Sequence, residues 1–468
     1  MNKKGMSGKD YFSLAFGSMI GIGWVVSVPA WMSAAGSIGA ILAILITMGL
    51  IIPIGFVYGE LTSSLRVSGG EFAYTYTTLG KIPAFICGWF LILGYLIILP
   101  WVAISVAALI SYLFPVLNSI PLYTILDQQI YLPHLIISFL MIVILVYLNS
   151  KGAKQSSTFQ NIATFLMIAT FFIFIIGGII NGTPANMSPL LPEGNITAGI
   201  AAAIASIIFF MNGFDTIPKT AAEADSSINQ ANLGKAITGT IVMGSLLYVL
   251  IVFSSSFIMP AEKLVNLGEL PLVAAFEATS GSAFLTNIII FGVLLGVITT
   301  FNGFLFAGSR LITSFSKAGF IPKIFSTMDS KNKTPKNTLA FMAIIATIGI
   351  LLGQGMLSPL MVMGGISFLI AWFFMALSSI KLRKTAPNLH RPYKAPGGII
   401  MGYIATISSG FLLLLMLIPG TPISLKGVEY TLFIIWFVVG LFLFMINNKQ
   451  DIKIEEISYT KGDVENES

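Results

Sequence analysis

Charge is what this sequence has least of. Only 9% of its 468 residues are Asp, Glu, Lys or Arg, against about 25% in a soluble domain. So thin a supply cannot cover a water-facing surface. With 56% hydrophobic residues the chain is expected to have the lipid bilayer as its solvent. A single cysteine, Cys87, excludes an intrachain disulfide and is expected to pack inside a helix. Two histidines, His134 and His390, make no metal-ligand cluster, and neither a nucleophile elbow nor a phosphate loop is present. An enzyme is therefore not expected, and no metal or other cofactor is implied. A channel filter of repeated carbonyls or charged rings is also missing. The amino terminus, MNKKGMSGKDYF, is short and basic, and the apolar run behind it lacks an A-x-A-like cleavage site. It reads as a retained first helix rather than a signal peptide.

What is present is a series of long apolar runs. A helix needs about 20 apolar residues to cross a bilayer. Twelve such runs can be drawn, at roughly 11–34, 38–61, 82–114, 131–149, 157–181, 198–221, 236–259, 282–310, 338–353, 359–381, 401–419 and 428–447. Twelve spans put both termini on one side. With that side cytoplasmic, every lysine and arginine except Lys263 and Lys426 falls inside, as the positive-inside rule requires. The net charge of +6 is thus topological and is not read as a nucleic-acid surface. The expectation is one all-α polytopic transporter domain over 1–447 in the plasma membrane, with cytoplasmic termini and a polar, disordered tail at 448–468. The oligomeric state is left open.

Two of the runs are interrupted. The first holds GSMIGIG, with Gly17, Gly21 and Gly23 within seven residues, each weakening a helix by about 1 kcal/mol relative to alanine. The sixth holds FFMNGFDTIPK, with Asn212, Gly213, Asp215 and Pro218 in its second half. Breaks at matching places in two halves point to a secondary-transporter binding site. The interval of five spans, being odd, predicts an inverted repeat. Repeat one would cover 11–181 and repeat two 198–381, with helices eleven and twelve appended at 401–447. Close packing through G-x-x-x-G is the alternative reading of the first run alone. A half-helix starting after a break offers free N–H groups to a carboxylate. One ending at a break offers carbonyls to an ammonium or Na⁺. A zwitterionic amino acid carries both groups.

Five stretches, in order, resemble the amino acid–polyamine–organocation family of transporters: GSMIGIGW, SGGEFAYTYTTLG from Ser68, FFMNGFDTIPKTAAEA, SRLITSFSKAGFIPKIF from Ser309 with KTPKN, and HRPYKAPGG from His390. The resemblance covers nearly the whole chain and implies a leucine-transporter-like fold: twelve transmembrane helices in a 5+5 inverted repeat plus two. It implies that the N–H groups of Ile22 and Gly23 hold a substrate carboxylate. Carbonyls of Met19, Phe209 and Asn212, beside Gly213, would hold the amine. Phe209 and Phe304 match gating aromatics, and Tyr95, Leu99 and Pro100 match pocket-lining positions of the third helix. Asp215 matches an acidic position of the sixth helix. An ionisable group there is a functional candidate, and it could titrate or pair with Lys219 one turn on. Glu223 and Asp225 lie at the cytoplasmic end, in an inner gate or on a solvated face, with Glu60, Arg66 and Glu71 as possible partners of such a gate.

A coupling cation would sit at the carbonyls of Gly17 and Ile20 and the hydroxyls of Thr299 and Thr300, a set suited to Na⁺; own-helix hydrogen bonding by the two threonines is the alternative. Relatives that use a lysine in the fifth helix would place it at Met167, and this chain has no lysine in that run. Na⁺ coupling, H⁺ coupling through Asp215 and ion-independent exchange all remain. The expected function is a permease moving an amino acid by alternating access. A carrier of polyamines or cationic amines, an amino acid exchanger and a non-transporting sensor are the alternatives. The role of Trp24 stays open between narrowing the pocket and packing on a neighbouring helix.

Overall fold

The computed structural model describes residues 5–447 apart from Arg66, Ser68, Asp127, Ser226, Glu269 and Pro422. The expected tail at 448–468, the gate candidate Arg66 and the first residue of the SGGEF stretch lie outside the described residues.

The chain is built from helices: α1 (Gly8–Met19), α2 (Gly23–Ala35), α3 (Ser37–Ser64), α4 (Glu71–Leu79), α5 (Lys81–Leu113), α6 (Leu132–Ser150), α7 (Ala153–Asn181), α8 (Ile196–Phe210), α9 (Thr216–Thr220), α10 (Ala231–Ile258), α11 (Ala261–Leu264), α12 (Pro271–Ser280), α13 (Ala283–Lys317), α14 (Lys336–Ile350), α15 (Leu357–Thr385), α16 (Ile399–Leu417) and α17 (Gly427–Asn447). One short hairpin, β1 (Pro121–Ile125) against β2 (Gln128–Tyr131), joins α5 to α6. It is tied down where the Tyr123 hydroxyl donates to the Leu351 carbonyl just past α14, at 2.7 Å.

Nine of these helices are long and apolar enough to cross a bilayer, and α1 with α2, bent by 48° at their junction, make a tenth span. The helices α8 and α14, at 15 residues each, occupy the sixth and ninth expected runs. Each rises only about 22 Å, so the expected twelve is reached only by counting these two. The short helices α4, α11 and α12 were not anticipated from the runs.

Burial separates centre from rim. The interior is formed largely by α5 and α13, whereas α17 buries only Glu429 and Gly440. Around that interior α3 packs on α10, α5 on α15, and α7 on α13. The half-helix α1 meets α7, α10 and α13, while α8 meets α3 and α15.

Candidate functional site

The two interruptions face each other. The first helix stops at Met19, Ile20 is extended (φ −101°, ψ 93°), and α2 restarts at Gly23. The first turn of α2 therefore presents N–H groups that no preceding turn can accept from. The second helix stops at Phe210, and Gly213 takes φ +113°, a conformation open mainly to glycine. A Cβ at Gly213 would lie 2.6 Å from the Met19 nitrogen, so the breaks touch backbone to backbone. Asp215 shapes this turn: the Gly213 N–H donates to its Oδ1 at 2.8 Å. Pro218 does not make the break. It sits in the first turn of α9, where a missing N–H costs nothing.

Between the breaks lies a cavity of about 20 Å³, room for about one water. Of the six expected substrate positions, Met19, Ile22, Gly23, Phe209 and Asn212 line it, as do Phe304 and Thr300; Gly213 does not, being occupied against Met19. The Phe209 carbonyl already accepts from Nδ2 of Asn212. From α5 the cavity receives Ile98, Trp101 and Val102, which corrects the expected Tyr95, Leu99 and Pro100. Tyr95 turns to Asp215 and Pro100 packs on Gly349. The helix is apolar on every side, so its sequence carries no signal for which face meets the cavity. Phe210 was also missed. A Cβ at Gly23 would overlap its ring, and that ring packs at 5.8 Å on Trp101. Gly23 thus makes room for an aromatic wall as well as freeing a backbone N–H.

At the expected cation position the Gly17 carbonyl lies 3.1 Å from Oγ1 of Thr299 and 3.0 Å from Oγ1 of Thr300. Both hydroxyls are also 2.9 Å from the Gly296 carbonyl of their own helix. These are hard oxygen donors, and a hydroxyl can turn its lone pairs toward an ion, so the set fits Na⁺ chemically. The Ile20 carbonyl lies beside Gly296, where a Cβ would be 3.3 Å from it and 3.0 Å from Sδ of Met167. A neutral amide chain braces the junction. Asn149 donates to Asn302 at 2.8 Å, Asn302 to Oε1 of Gln160 at 2.8 Å, and Nε2 of Gln160 to the carbonyls of Ser13 and Thr299 at 3.2 Å each.

A charged cluster adjoins the second break. Nζ of Lys219 lies 2.6 Å from Oε1 of Glu71 and 3.0 Å from Oδ2 of Asp215, all three side chains being fully buried. The Tyr95 hydroxyl donates to Oδ2 of Asp215 at 2.8 Å, and its ring meets Phe304 edge-on at 4.9 Å. The other gate partnerships differ from expectation. Glu223 pairs with Arg310 at 2.5 Å. Asp225 accepts from the Gly5 N–H at 3.1 Å. Glu60 binds Arg383 and, at 3.3 Å, Arg391, and accepts from the Ala395 N–H. The HRPYKAPGG stretch is therefore a strap that ties the end of α3 to the end of α15.

A sequence model of the family described as amino acid permease matches residues 6–445. The chain belongs to the amino acid permease family. It is 29% identical over 454 residues to the methylthioribose transporter of Bacillus subtilis, covering 95% of this chain and 93% of that protein. It is 26% identical over 468 residues to a branched-chain amino acid permease of the same organism, covering 97% and 95%. It is 27% identical over 449 residues to the human cystine/glutamate transporter, covering 91% and 84%. This permease is thus a multi-pass membrane protein whose relatives carry the names of transporters, not enzymes.

In this permease Trp24 faces away from the cavity. Its ring stacks edge-on against Phe171 at 5.2 Å and Phe174 at 4.9 Å, both on α7. Packing against a neighbouring helix is its role. Phe209, by contrast, stands between Trp101 at 5.7 Å and Gly364, where a Cβ would be 2.5 Å from its ring.

Proposed function

We propose that this permease carries a neutral, apolar amino acid across the plasma membrane by alternating access, holding it between the two backbone breaks. The observation that carries the reading is the direct contact of those breaks around one small cavity, lined by Ile22 and Gly23, whose N–H groups form one set, and by Met19 and Asn212, whose carbonyls form the other. The substrate carboxylate goes to the first set, its ammonium to the second. At about 20 Å³ the cavity is too small for an amino acid, and Phe209 and Phe304 are the side chains that move to admit a ligand.

Helix pairing supports the inverted repeat of 11–181 and 198–381. Exchanging α1 for α8, α3 for α10, α5 for α13, α6 for α14 and α7 for α15 turns the α7–α13 contact into α15–α5. The same exchange turns α1–α10 into α8–α3 and α1–α7 into α8–α15, and all of these packings are present. The lysine and arginine bias supports cytoplasmic termini.

Trp101, Phe210, Ile98 and Val102 favour an apolar side chain, in keeping with the branched-chain permease among the relatives. Asp215, which kept cationic amines in view, lies outside the cavity lining and is neutralised by Lys219. Purified protein in liposomes loaded with unlabelled leucine, isoleucine or valine is expected to give saturable counterflow of the labelled amino acid. Binding without counterflow would make it a sensor; counterflow of polyamines alone would replace the substrate class.

A further inference from the structure

Among the fully buried ionisable groups, one set has a charge count that does not close. Glu71 and Asp215 bring two carboxylates to Lys219, the single cation in contact with either among the described residues, and none of the three side chains is exposed. With both acids ionised, one negative charge is left out of water without a partner, which is strongly unfavourable. A single proton removes it.

The hydrogen bonds decide which acid takes that proton. Asp215 already accepts three bonds, from the Gly213 N–H on Oδ1 and from Tyr95 and Lys219 on Oδ2. Glu71 accepts from Lys219 on Oε1, while its Oε2 has no donor among the described residues. Facing Glu71 from α3 is Tyr58, whose hydroxyl lies within reach of the Glu71 carboxyl and has no other hydrogen-bond partner among the described residues. Tyr58 can donate to an ionised Oε2 or accept from a protonated one, but only the protonated carboxyl also cancels the surplus charge. The remaining titratable group beside Glu71 among the described residues is Cys87 of α5, a buried thiol.

We propose that Glu71 is a proton-binding site, loaded while α4 and α9 are packed together and emptied when they part. Burial pushes the Glu71 carboxyl up to about 7 against the opposing pull of Lys219, so loading and release fall within the physiological range. The site communicates with the cavity by two contacts. Asp215 holds the turn at Gly213, and Tyr95 links Asp215 to Phe304. Separation of α4 from α9 admits water to Glu71 and frees Lys219 to pair with Asp215 alone. The coupling of this proton to substrate movement rests on the transport reading above; the proton site itself does not.

Infrared pH titration of the purified full-length protein tests the site directly. The wild type is expected to show the carbonyl stretch of a protonated carboxylic acid that disappears as pH rises through neutrality. Labelling with carbon-13 glutamate should shift that band, which assigns it without any substitution. The band should persist in Asp215→Asn and vanish in Glu71→Gln. Absence of the band in the wild type overturns the proposal, as does a band that ignores the glutamate label or is lost only in Asp215→Asn. In liposomes, an inward acid gradient should raise wild-type uptake several-fold, and the ratio with and without the gradient should fall to about one in Glu71→Gln. Counterflow with no response to the gradient would overturn the coupling. Absence of counterflow with every amino acid would overturn the transport reading, and the infrared result would still decide the proton site.

Discussion

Lys219 and Glu71 are 148 positions apart in the chain, yet Nζ of one lies 2.6 Å from Oε1 of the other, with both side chains out of reach of solvent. The pair joins α4 to α9 directly beneath the second break. Lys219→Met should leave two carboxylates facing each other without a cation. Loss of one partner from a buried pair costs about 3–5 kcal/mol, so the melting temperature should drop sharply. Glu71→Gln added to Lys219→Met removes one of the two buried, unpaired carboxylates and should recover much of the loss. A double variant no more stable than the single one would mean that the pair is not what holds α4 to α9.

The same cluster makes stability depend on pH. The Glu71 carboxyl is raised from an ordinary 4.5 to about 7, chiefly by burial. A group whose folded pKa is raised gives its full contribution below the unfolded value and loses it as pH climbs through the folded one. The wild-type melting temperature should therefore fall between pH 4.5 and about 7, and Glu71→Gln should flatten that slope. An identical slope in both proteins would place the dependence elsewhere.

Gly23 is predicted to be intolerant for a reason separate from its N–H group. Any Cβ there overlaps the Phe210 ring, and overpacking of this kind costs about 1–3 kcal/mol. Gly23→Val should abolish binding of a neutral amino acid in a thermal-shift assay. Gly23→Ala combined with Phe210→Leu should restore part of it, because the smaller side chain yields the space. Wild-type binding by Gly23→Val would remove the carboxylate site from this break.

Phe209 closes one wall of the cavity against Trp101 and Gly364. Phe209→Ala should reduce uptake roughly tenfold, the equivalent of about 1.4 kcal/mol in contact energy. Uptake at the wild-type rate would refute its gating role.

Much of this arrangement is legible in the sequence. Apolar runs announce helices, and glycines clustered in GSMIGIG and at Asn212–Gly213 announce breaks, because local backbone chemistry is written locally. Rotation about a helix axis is not. The helices α5 and α17 are comparably apolar, yet one is central and the other borders lipid. The same lack of phase hid Ile98, Trp101 and Val102 behind the nearby Tyr95, Leu99 and Pro100. The alliance of Glu71 with Lys219 was invisible for another reason: no spacing rule relates residues brought together only by tertiary packing. Glu60 likewise found Arg383 and Arg391 instead of the gate.

Gln160 braces the first break from α7 with a neutral amide. Its Nε2 donates to the Ser13 and Thr299 carbonyls while its Oε1 accepts from Asn302, so one amide ties α7, α13 and the start of the first span together. Gln160→Leu keeps the size and removes all three bonds, and an unsatisfied buried polar group costs about 1–3 kcal/mol. The melting temperature should fall by the corresponding few degrees. Gln160→Glu is the sharper probe. Ionised, it can still accept from Asn302 but meets two carbonyl oxygens with a negative charge, so it should be destabilised at neutral pH. Protonated, it regains one donor, and stability should recover as the pH is lowered. If Gln160→Glu melts with the wild type at every pH, the donor end of the amide is not bracing this junction.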